Sequence, residues 1–179
     1  MFDLLDNVYV YLFIFILIIT TINSFIKRNI EMRREIKEYP IKEYVNKVIS
    51  SVNKMDGGQF EDFMSFIFEE MGYNVRQTPK TRDGGKDLIL NTKDGKIYVE
   101  IKRYASKNLI SSSLILKLIG SAVSDGVDKC IFLTTSGYTN DAMEVAKKSK
   151  VDIKLIDIDG FIDMVKSCRA DKVLSYLGY

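Results

Sequence analysis

Hydrophobic residues are unevenly spread along this chain, and the first block of them is continuous. Residues 7–26 carry no charge, and 20 residues at about 1.5 Å each in a helix extend roughly 30 Å, the thickness of a bilayer core. Tyr9 and Tyr11 lie near one end, and a basic run begins with Lys27 and Arg28 at the other. The chain starts with acidic residues and lacks the basic start of a signal peptide. We therefore predict a retained transmembrane helix instead of a cleaved signal peptide or a buried core helix.

The basic run also predicts an orientation. Positive charge favours the cytoplasmic side, so we expect a single-pass protein of the cell membrane with its C-terminal domain in the cytoplasm. Residues 29–38 mix charges of both signs and indicate a solvated helical stalk, which Pro40 interrupts. Residues 41–53 have the apolar spacing of a packing helix, and the glycine-containing break at 54–58 indicates a domain boundary. The predicted organisation is a transmembrane anchor over 1–28, a helical stalk or linker over 29–55 and a folded domain over 56–179.

The pattern beyond residue 56 alternates between helical and strand periods. An apolar stripe over 60–71, followed by Gly72, predicts a core helix that stops at the glycine. The Asp94-Gly95 pair between two alternating segments predicts a β-hairpin, and the continuous apolar run at 129–135 is typical of a buried parallel strand. The predicted strands cover 73–77, 87–91, 96–102, 129–135 and 153–156. The predicted later helices cover 109–123, 141–150, 161–167 and 171–177. This order predicts an α/β domain with a mixed β-sheet core flanked by helices on both faces.

Composition narrows the possible chemistry. The chain has 179 residues and a formal net charge of +2, which permits a polyanionic partner without requiring one. Cys130 and Cys168 are far apart in the sequence and show no CxxC spacing, so neither a disulfide framework nor a zinc ribbon is indicated. The absence of histidine excludes Ser-His and Cys-His nucleophilic schemes and most catalytic zinc sites. Catalysis would have to use carboxylates, lysine or hydroxyl groups.

Three residues of the predicted hairpin form a candidate catalytic set. Asp87 begins one strand, and Glu100 and Lys102 lie two positions apart on the next, so that both point to the same face. Two carboxylates supply the hard oxygen ligands that Mg²⁺ prefers, and the backbone carbonyl of Ile101 is a possible further ligand. Lys102 could position or deprotonate an attacking water, with its pKa open to being lowered by desolvation. The spacing alone is a weak signal and fits solvated cross-strand pairs of Glu and Lys better than a catalytic set.

The surrounding motifs favour the catalytic interpretation. The run GYNVRQTPKTRDGGKDLILNTKDGKIYVEIKRY and the later FLTTSGYT resemble the catalytic domain of Mrr-type restriction endonucleases, a branch of the PD-(D/E)xK nuclease superfamily, over roughly residues 56–165. The resemblance implies a restriction-endonuclease-like fold and a metal-binding role for Asp87 in DGGKD, after the glycine turn at Gly84 and Gly85. It matches the family's (E/Q)xK strand to Glu100, Ile101 and Lys102, with Arg103 and Tyr104 completing a KRY ending.

The same resemblance extends to an upstream helix. The family's glutamate after an aromatic residue corresponds to Glu61 after Phe60. Many members have glutamine at the position of Glu100, which implies a metal site here that depends less on Glu61. A lone glutamate on an amphipathic helix also fits simple solvation.

Several other residues are candidate DNA contacts. Hydroxyl-bearing residues close the strand at 129–135, where they could hold a phosphate or serve as ordinary turn and capping groups. Basic residues cluster in the sequence around the predicted site and could contact the DNA backbone. The candidate DNA-binding residues are Lys80, Arg82, Lys86, Arg103, Thr135 and Ser136, with Lys107 nearby.

The sequence thus predicts a membrane-tethered endodeoxyribonuclease that depends on Mg²⁺, with Mn²⁺ as a possible substitute. The resemblance implies restriction or defence against foreign DNA. Because a membrane helix and stalk stand where a DNA-reading domain is expected, sequence specificity is not predicted. One active site cuts one strand, so double-strand cleavage would require two copies, plausibly a homodimer. Two alternatives stay open: a non-catalytic membrane module with a nuclease fold that binds DNA or protein, and a repair or recombination nuclease.

Overall fold

The computed structural model describes residues 19–24, 41–79 and 85–179 of the chain. The chain divides into two compact units, Met1–Pro40 and Ile41–Tyr179. In the first unit, residues 19–24 are helical, and the Ser24 hydroxyl donates hydrogen bonds to the carbonyls of Thr20 and Thr21. Among the described residues, no helix is long and apolar enough to cross a membrane. The remainder of the predicted anchor at 7–26 and the predicted stalk at 29–38 lie outside the described residues.

The second unit consists of six helices and five strands in the described part of the chain. The helices are α1 (Ile41–Val52), α2 (Gly57–Glu70), α3 (Ser112–Ser124), α4 (Asn140–Lys148), α5 (Ile158–Ser167) and α6 (Ala170–Tyr176). The strands are β1 (Asn74–Gln77), β2 (Leu88–Thr92), β3 (Gly95–Lys102), β4 (Lys129–Thr134) and β5 (Asp152–Ile156). Both the element order and the helix or strand type of each segment confirm the prediction from the sequence, with ends that differ by a few residues.

The five strands form one sheet in chain order, from β1 to β5. The first three strands pair antiparallel, and β3, β4 and β5 pair parallel, so the predicted mixed sheet is confirmed. The hairpin between β2 and β3 turns where Thr92 pairs with Gly95, whose φ of 122° suits glycine. The turn fixes which residues of β2 and β3 lie opposite one another, and this register positions the candidate site.

Each face of the sheet is covered by its own apolar cluster. On one face, α1, α2, α5 and α6 pack on residues such as Leu88, Val99 and Ile101. On the other face, α3 and α4 pack on residues such as Ile89 and Tyr98. Because neighbouring residues of a strand point to opposite faces, β2 and β3 contribute to both clusters. The face covered by α3 and α4 is called the α3 face. It therefore carries residue 87 just before β2, residue 89 of β2, and residues 98, 100 and 102 of β3.

Helix α1 belongs to the folded unit, which begins earlier than the boundary expected at residue 56. Tyr44, Val48 and Val52 recur every four residues and are buried in the cluster that also contains Phe161. The Tyr44 hydroxyl donates a hydrogen bond of 3.0 Å to the carbonyl of Val165. The glycine-containing break does not separate domains. It is the start of α2, where Asp56 and the N3 residue Gln59 form a capping box.

Candidate active site

The residues Asp87, Glu100 and Lys102 converge at one end of the β2–β3 hairpin, as predicted. Asp87 lies just before β2 and is tied to β3 through its backbone N–H, which donates to the carbonyl of Val99 at 2.7 Å. The parallel register places Glu100 beside Phe132 and Lys102 beside Thr134, at the C-terminal end of β4. Strand alternation therefore presents the three side chains on the α3 face.

The Lys102 ammonium is the centre of this cluster. Its Nζ lies 2.6 Å from Oε1 of Glu100, 3.4 Å from Oδ2 of Asp87 and 3.0 Å from the carbonyl oxygen of Ile101. Oδ2 of Asp87 also accepts a 2.7 Å hydrogen bond from the Ile101 N–H. The Asp87 carboxylate is thus oriented by the backbone of the strand that carries the other two side chains.

Glu100 is the most buried charged group of the cluster, with an exposure of 3%. Burial raises its pKa, and the Asp87 carboxylate raises it further, whereas Lys102 and Lys117 act in the opposite direction. Within the described part of the chain, its buried second oxygen, Oε2, has no hydrogen-bond partner. An unpartnered buried carboxylate oxygen is costly unless a further cation or donor reaches it.

The pKa of Lys102 is raised, which differs from the expectation that desolvation would lower it. Burial does act to lower it, but the charge and hydrogen bond of Glu100, with those of Asp87, outweigh that effect. Two carboxylates stabilise the ammonium more than partial burial penalises it. In this arrangement Lys102 is therefore a charged hydrogen-bond donor at neutral pH.

The cluster has the donor set of a divalent cation site. The three oxygens around the ammonium belong to Asp87, Glu100 and Ile101, the three residues predicted as metal ligands. Two carboxylate oxygens and a carbonyl are hard donors of the kind that Mg²⁺ binds. The unpartnered Oε2 of Glu100 adds a further oxygen. These residues fit a metal whose charge would take the place of the ammonium. Among the described residues, no group of three or more His, Cys, Asp or Glu side chains forms a metal cluster.

Glu61 was predicted as a further member of the catalytic set. It lies on α2, whose apolar residues pack on the opposite face of the sheet from Asp87 and Glu100. Among the described residues, no three acidic side chains form a group that could hold a metal ion. The assignment of Glu61 to the catalytic set stays a prediction.

Lys86 is engaged within the protein. Its Nζ lies 3.0 Å from Oδ2 of Asp125 and 3.0 Å from Oγ of Ser121, and it stands 4.4 Å above the centre of the Tyr98 ring. The Tyr98 hydroxyl donates a 2.7 Å hydrogen bond to the same Asp125 oxygen. These contacts connect α3 to the residue that precedes Asp87. These contacts give Lys86 a structural role, and its contact with DNA stays a prediction.

The other predicted DNA contacts differ in their surroundings. The Nε of Arg103 is buried without a hydrogen-bond partner among the described residues. Thr135 binds the chain end of β3, because its N–H donates to the Lys102 carbonyl and its hydroxyl to the Tyr104 carbonyl. Ser136 is 4% exposed and its hydroxyl pairs with that of Thr134 at 3.0 Å. Lys107 is exposed, and Lys80 and Arg82 lie outside the described residues.

Lys117 is a residue near the cluster that the sequence did not single out. It lies on α3 and acts electrostatically on Glu100. Its aliphatic side chain runs against Gly85, two residues before Asp87. Helical periodicity places Lys117 on the same side of α3 as Ser121, but only the packing of α3 on the sheet brings that side to the hairpin.

The fold and the cluster together define a nuclease domain of the restriction endonuclease type. The sequence profile of a protein family described as Mrr_cat, restriction endonuclease, matches residues 52–165. The chain therefore belongs to the Mrr_cat restriction endonuclease family, as the motifs implied. The matched region contains the whole sheet and all three residues of the cluster.

Solved structures share the fold at low sequence identity. The DNA modification-dependent restriction endonuclease AspBHI superposes with a TM-score of 0.58 and 16% identity, over 75% of this chain and 39% of that chain. The MspJI restriction endonuclease in complex with a 27-mer oligonucleotide gives a TM-score of 0.54 and 12% identity, over 79% of this chain and 36% of that chain. Protein AF1548, whose function is unknown, superposes with a TM-score of 0.51 and 14% identity, over 60% of this chain and 64% of that chain.

A relative in sequence is protein y4cE of Sinorhizobium fredii (strain NBRC 101917 / NGR234), described as uncharacterized. It is 36% identical over 98 residues, which are 52% of this chain and 25% of y4cE. The chain thus spans about a quarter of the length of that relative.

Proposed function

We propose that this domain is a metal-dependent endonuclease that hydrolyses phosphodiester bonds in DNA at the cluster of Asp87, Glu100 and Lys102. The observation that carries the proposal is the ammonium of Lys102 held by two carboxylate oxygens and a backbone carbonyl, beside the unpartnered Oε2 of Glu100. Membership of a restriction endonuclease family supports DNA as the substrate. The oligonucleotide bound to MspJI, which shares the fold, supports it further.

Each residue of the cluster has a separate part in this proposal. Asp87, Glu100 and the carbonyl of Ile101 would hold Mg²⁺ or Mn²⁺, which neutralises charge that develops on the phosphate. The Ile101 N–H keeps the Asp87 carboxylate in place. Lys102 would donate hydrogen bonds to the attacking water or to a phosphate oxygen. As the water attacks phosphorus, it would lose a proton to solvent, and the P–O bond to the leaving sugar oxygen would break as that oxygen takes up a proton from solvent. The Lys102 ammonium would stabilise the negative oxygens of the phosphate.

Membrane attachment is a second part of the proposal. The uncharged segment 7–26 and the basic residues after it support an anchor that leaves the nuclease domain in the cytoplasm, where DNA is present. Restriction of foreign DNA is the role that the family suggests. Two copies on one membrane would supply the two active sites needed to cut both strands.

The test is cleavage of supercoiled plasmid by the full-length chain in Mg²⁺ or Mn²⁺. We expect nicking, and we expect Asp87→Asn and Lys102→Met to reduce its rate at least about 100-fold, as loss of a group that stabilises the transition state does. Lys166→Met is the matched control, because Lys166 forms an exposed pair with Asp163 on α5. Equal nicking by all four proteins would refute the assignment of the site.

The same assay separates the alternatives. DNA binding without cleavage in either metal would indicate a non-catalytic module with this fold. A strong preference for branched over linear DNA would indicate a repair or recombination nuclease. The anchor is tested by separating membrane and soluble fractions of cells that express the intact chain or a chain without residues 1–28. Recovery of the intact chain in the soluble fraction would refute the anchor.

A further inference from the structure

One side of helix α3 runs along the segment that leads into Asp87. Lys117, Ser121 and Asp125 follow one another at intervals of four residues and therefore lie on one side of the helix and its C-terminal cap. Ser121 and Asp125 bind the Lys86 ammonium, each at 3.0 Å. Lys117, one turn earlier, lies against Gly85. This side of α3 thus contacts two consecutive residues immediately before Asp87.

The side chain of Lys117 lies close to the backbone of Gly85. A methyl group at position 85 would lie 2.9 Å from Cγ, 3.2 Å from Cδ and 3.0 Å from Cε of Lys117, and Gly85 also has a φ of 84°. The whole aliphatic part of Lys117 therefore lies over the glycine. The aliphatic carbons of Lys117 thus run along the glycine, and the terminal ammonium is the part of the side chain that can reach a ligand.

The surroundings of that ammonium indicate an anion as the ligand. Lys117 is exposed, and it is near enough to the cluster to act on the buried Glu100 carboxylate electrostatically. Among the described residues, no carboxylate lies within ion-pair distance of it, in contrast to Lys86 and Lys102. Lysines whose ammonium has no partner at the edge of a nuclease cluster are suited to a phosphate oxygen.

We propose that Lys117 binds a DNA phosphate at the cleavage site, with its ammonium guided there by the packing of its aliphatic chain on Gly85. This proposal rests on the proposed nuclease function. The site would then contain the ammonium of Lys117 from helix α3, in addition to the two carboxylates and the lysine of the hairpin. Lys86, although adjacent to Asp87 in the sequence, is held by Asp125 and serves to place the Gly85 segment.

The test uses Lys117→Met in the full-length chain, because methionine keeps the aliphatic contact with Gly85 and removes only the charge. Binding of a fluorescent DNA duplex is measured by anisotropy at several salt concentrations, with Ca²⁺ in place of Mg²⁺ to limit cutting. Single-turnover cleavage is measured with Mg²⁺. We expect the slope of log affinity against log salt to fall by about one, and the cleavage rate to fall at least about tenfold. Lys117→Arg, which keeps the charge, should restore most of the salt slope.

Lys147→Met is the matched control, since Lys147 is an exposed lysine in the last turn of α4. It should leave the cleavage rate unchanged. If wild type binds and cuts DNA and Lys117→Met does so with the same salt slope and rate, the Lys117 proposal is overturned and the nuclease function stands. A lower rate with an unchanged slope would also overturn it, because Lys117 would then act on the cluster and not on DNA. If wild type neither binds nor cuts DNA, both proposals fail.

Discussion

Removal of the Lys102 charge tests how much this ammonium stabilises the two carboxylates of the cluster. Lys102→Met would leave two carboxylates facing one another without their shared ammonium, and the Glu100 side chain is only 4% exposed. Loss of one partner of a buried pair costs about 3–5 kcal/mol. Lys102 itself is 23% exposed, and Glu100 can take up a proton, so we expect a smaller loss of about 2 kcal/mol in the free energy of unfolding at pH 8 without metal.

The loss should depend on pH with a definite sign. Burial and the Asp87 carboxylate raise the pKa of Glu100 in the folded protein, and removal of Lys102 removes an opposing effect. A raised folded-state pKa gives a contribution to stability that is present at low pH and is lost as pH rises through that pKa. The difference between Lys102→Met and wild type should therefore be largest at pH 8 and shrink toward pH 5. Urea unfolding at both pH values in EDTA measures it.

Metal should compensate for the missing ammonium. The oxygens that bind Lys102 in the metal-free protein are those proposed to bind Mg²⁺, so the ion must displace the ammonium in wild type but not in Lys102→Met. We expect Mg²⁺ to stabilise the variant more than wild type; an ion at 100 times its dissociation constant contributes about 2.7 kcal/mol. Lys166→Met, which breaks an exposed pair, should change stability by less than about 1 kcal/mol. A loss in Lys102→Met that is the same at both pH values and unaffected by Mg²⁺ would refute this account of the cluster.

Two further predictions concern the supports of the site. A chain that begins at residue 54 lacks α1 and should be less stable than one that begins at residue 41 by about 5 kcal/mol. The reason is that three buried side chains of α1 are lost, at about 1.5–3 kcal/mol each. Equal melting temperatures would contradict the packing of α1. Asp125→Ala should release Lys86 and Tyr98 and lower the cleavage rate several-fold, with normal circular dichroism. An unchanged rate would show that this contact does not position Asp87.

The candidate set could be found from the sequence because its geometry is local. Asp87, Glu100 and Lys102 lie on one hairpin, and a strand period of two, with a turn marked by Gly95, determines which side chains share a face. Helix periodicity located α1 to α6 for the same reason. Lys117 could not be found in this way, because it approaches Gly85 only after α3 has packed on the sheet. The contact of Lys86 with Asp125 could not be predicted for a related reason, since the two residues are 39 positions apart in the sequence.

The order of elements, the mixed sheet, the shared face of the three cluster residues and the family of the chain were all predicted from the sequence. These follow from periodicity and motifs within short stretches of chain. The packing of the folded domain was needed to show that α1 is part of the core and that the Lys102 ammonium is bound by three oxygens. The burial of α1 and of Glu100 depends on helices that pack on the sheet from other parts of the sequence. The distances from the Lys102 ammonium to its three oxygens depend on side-chain conformations, which periodicity does not specify.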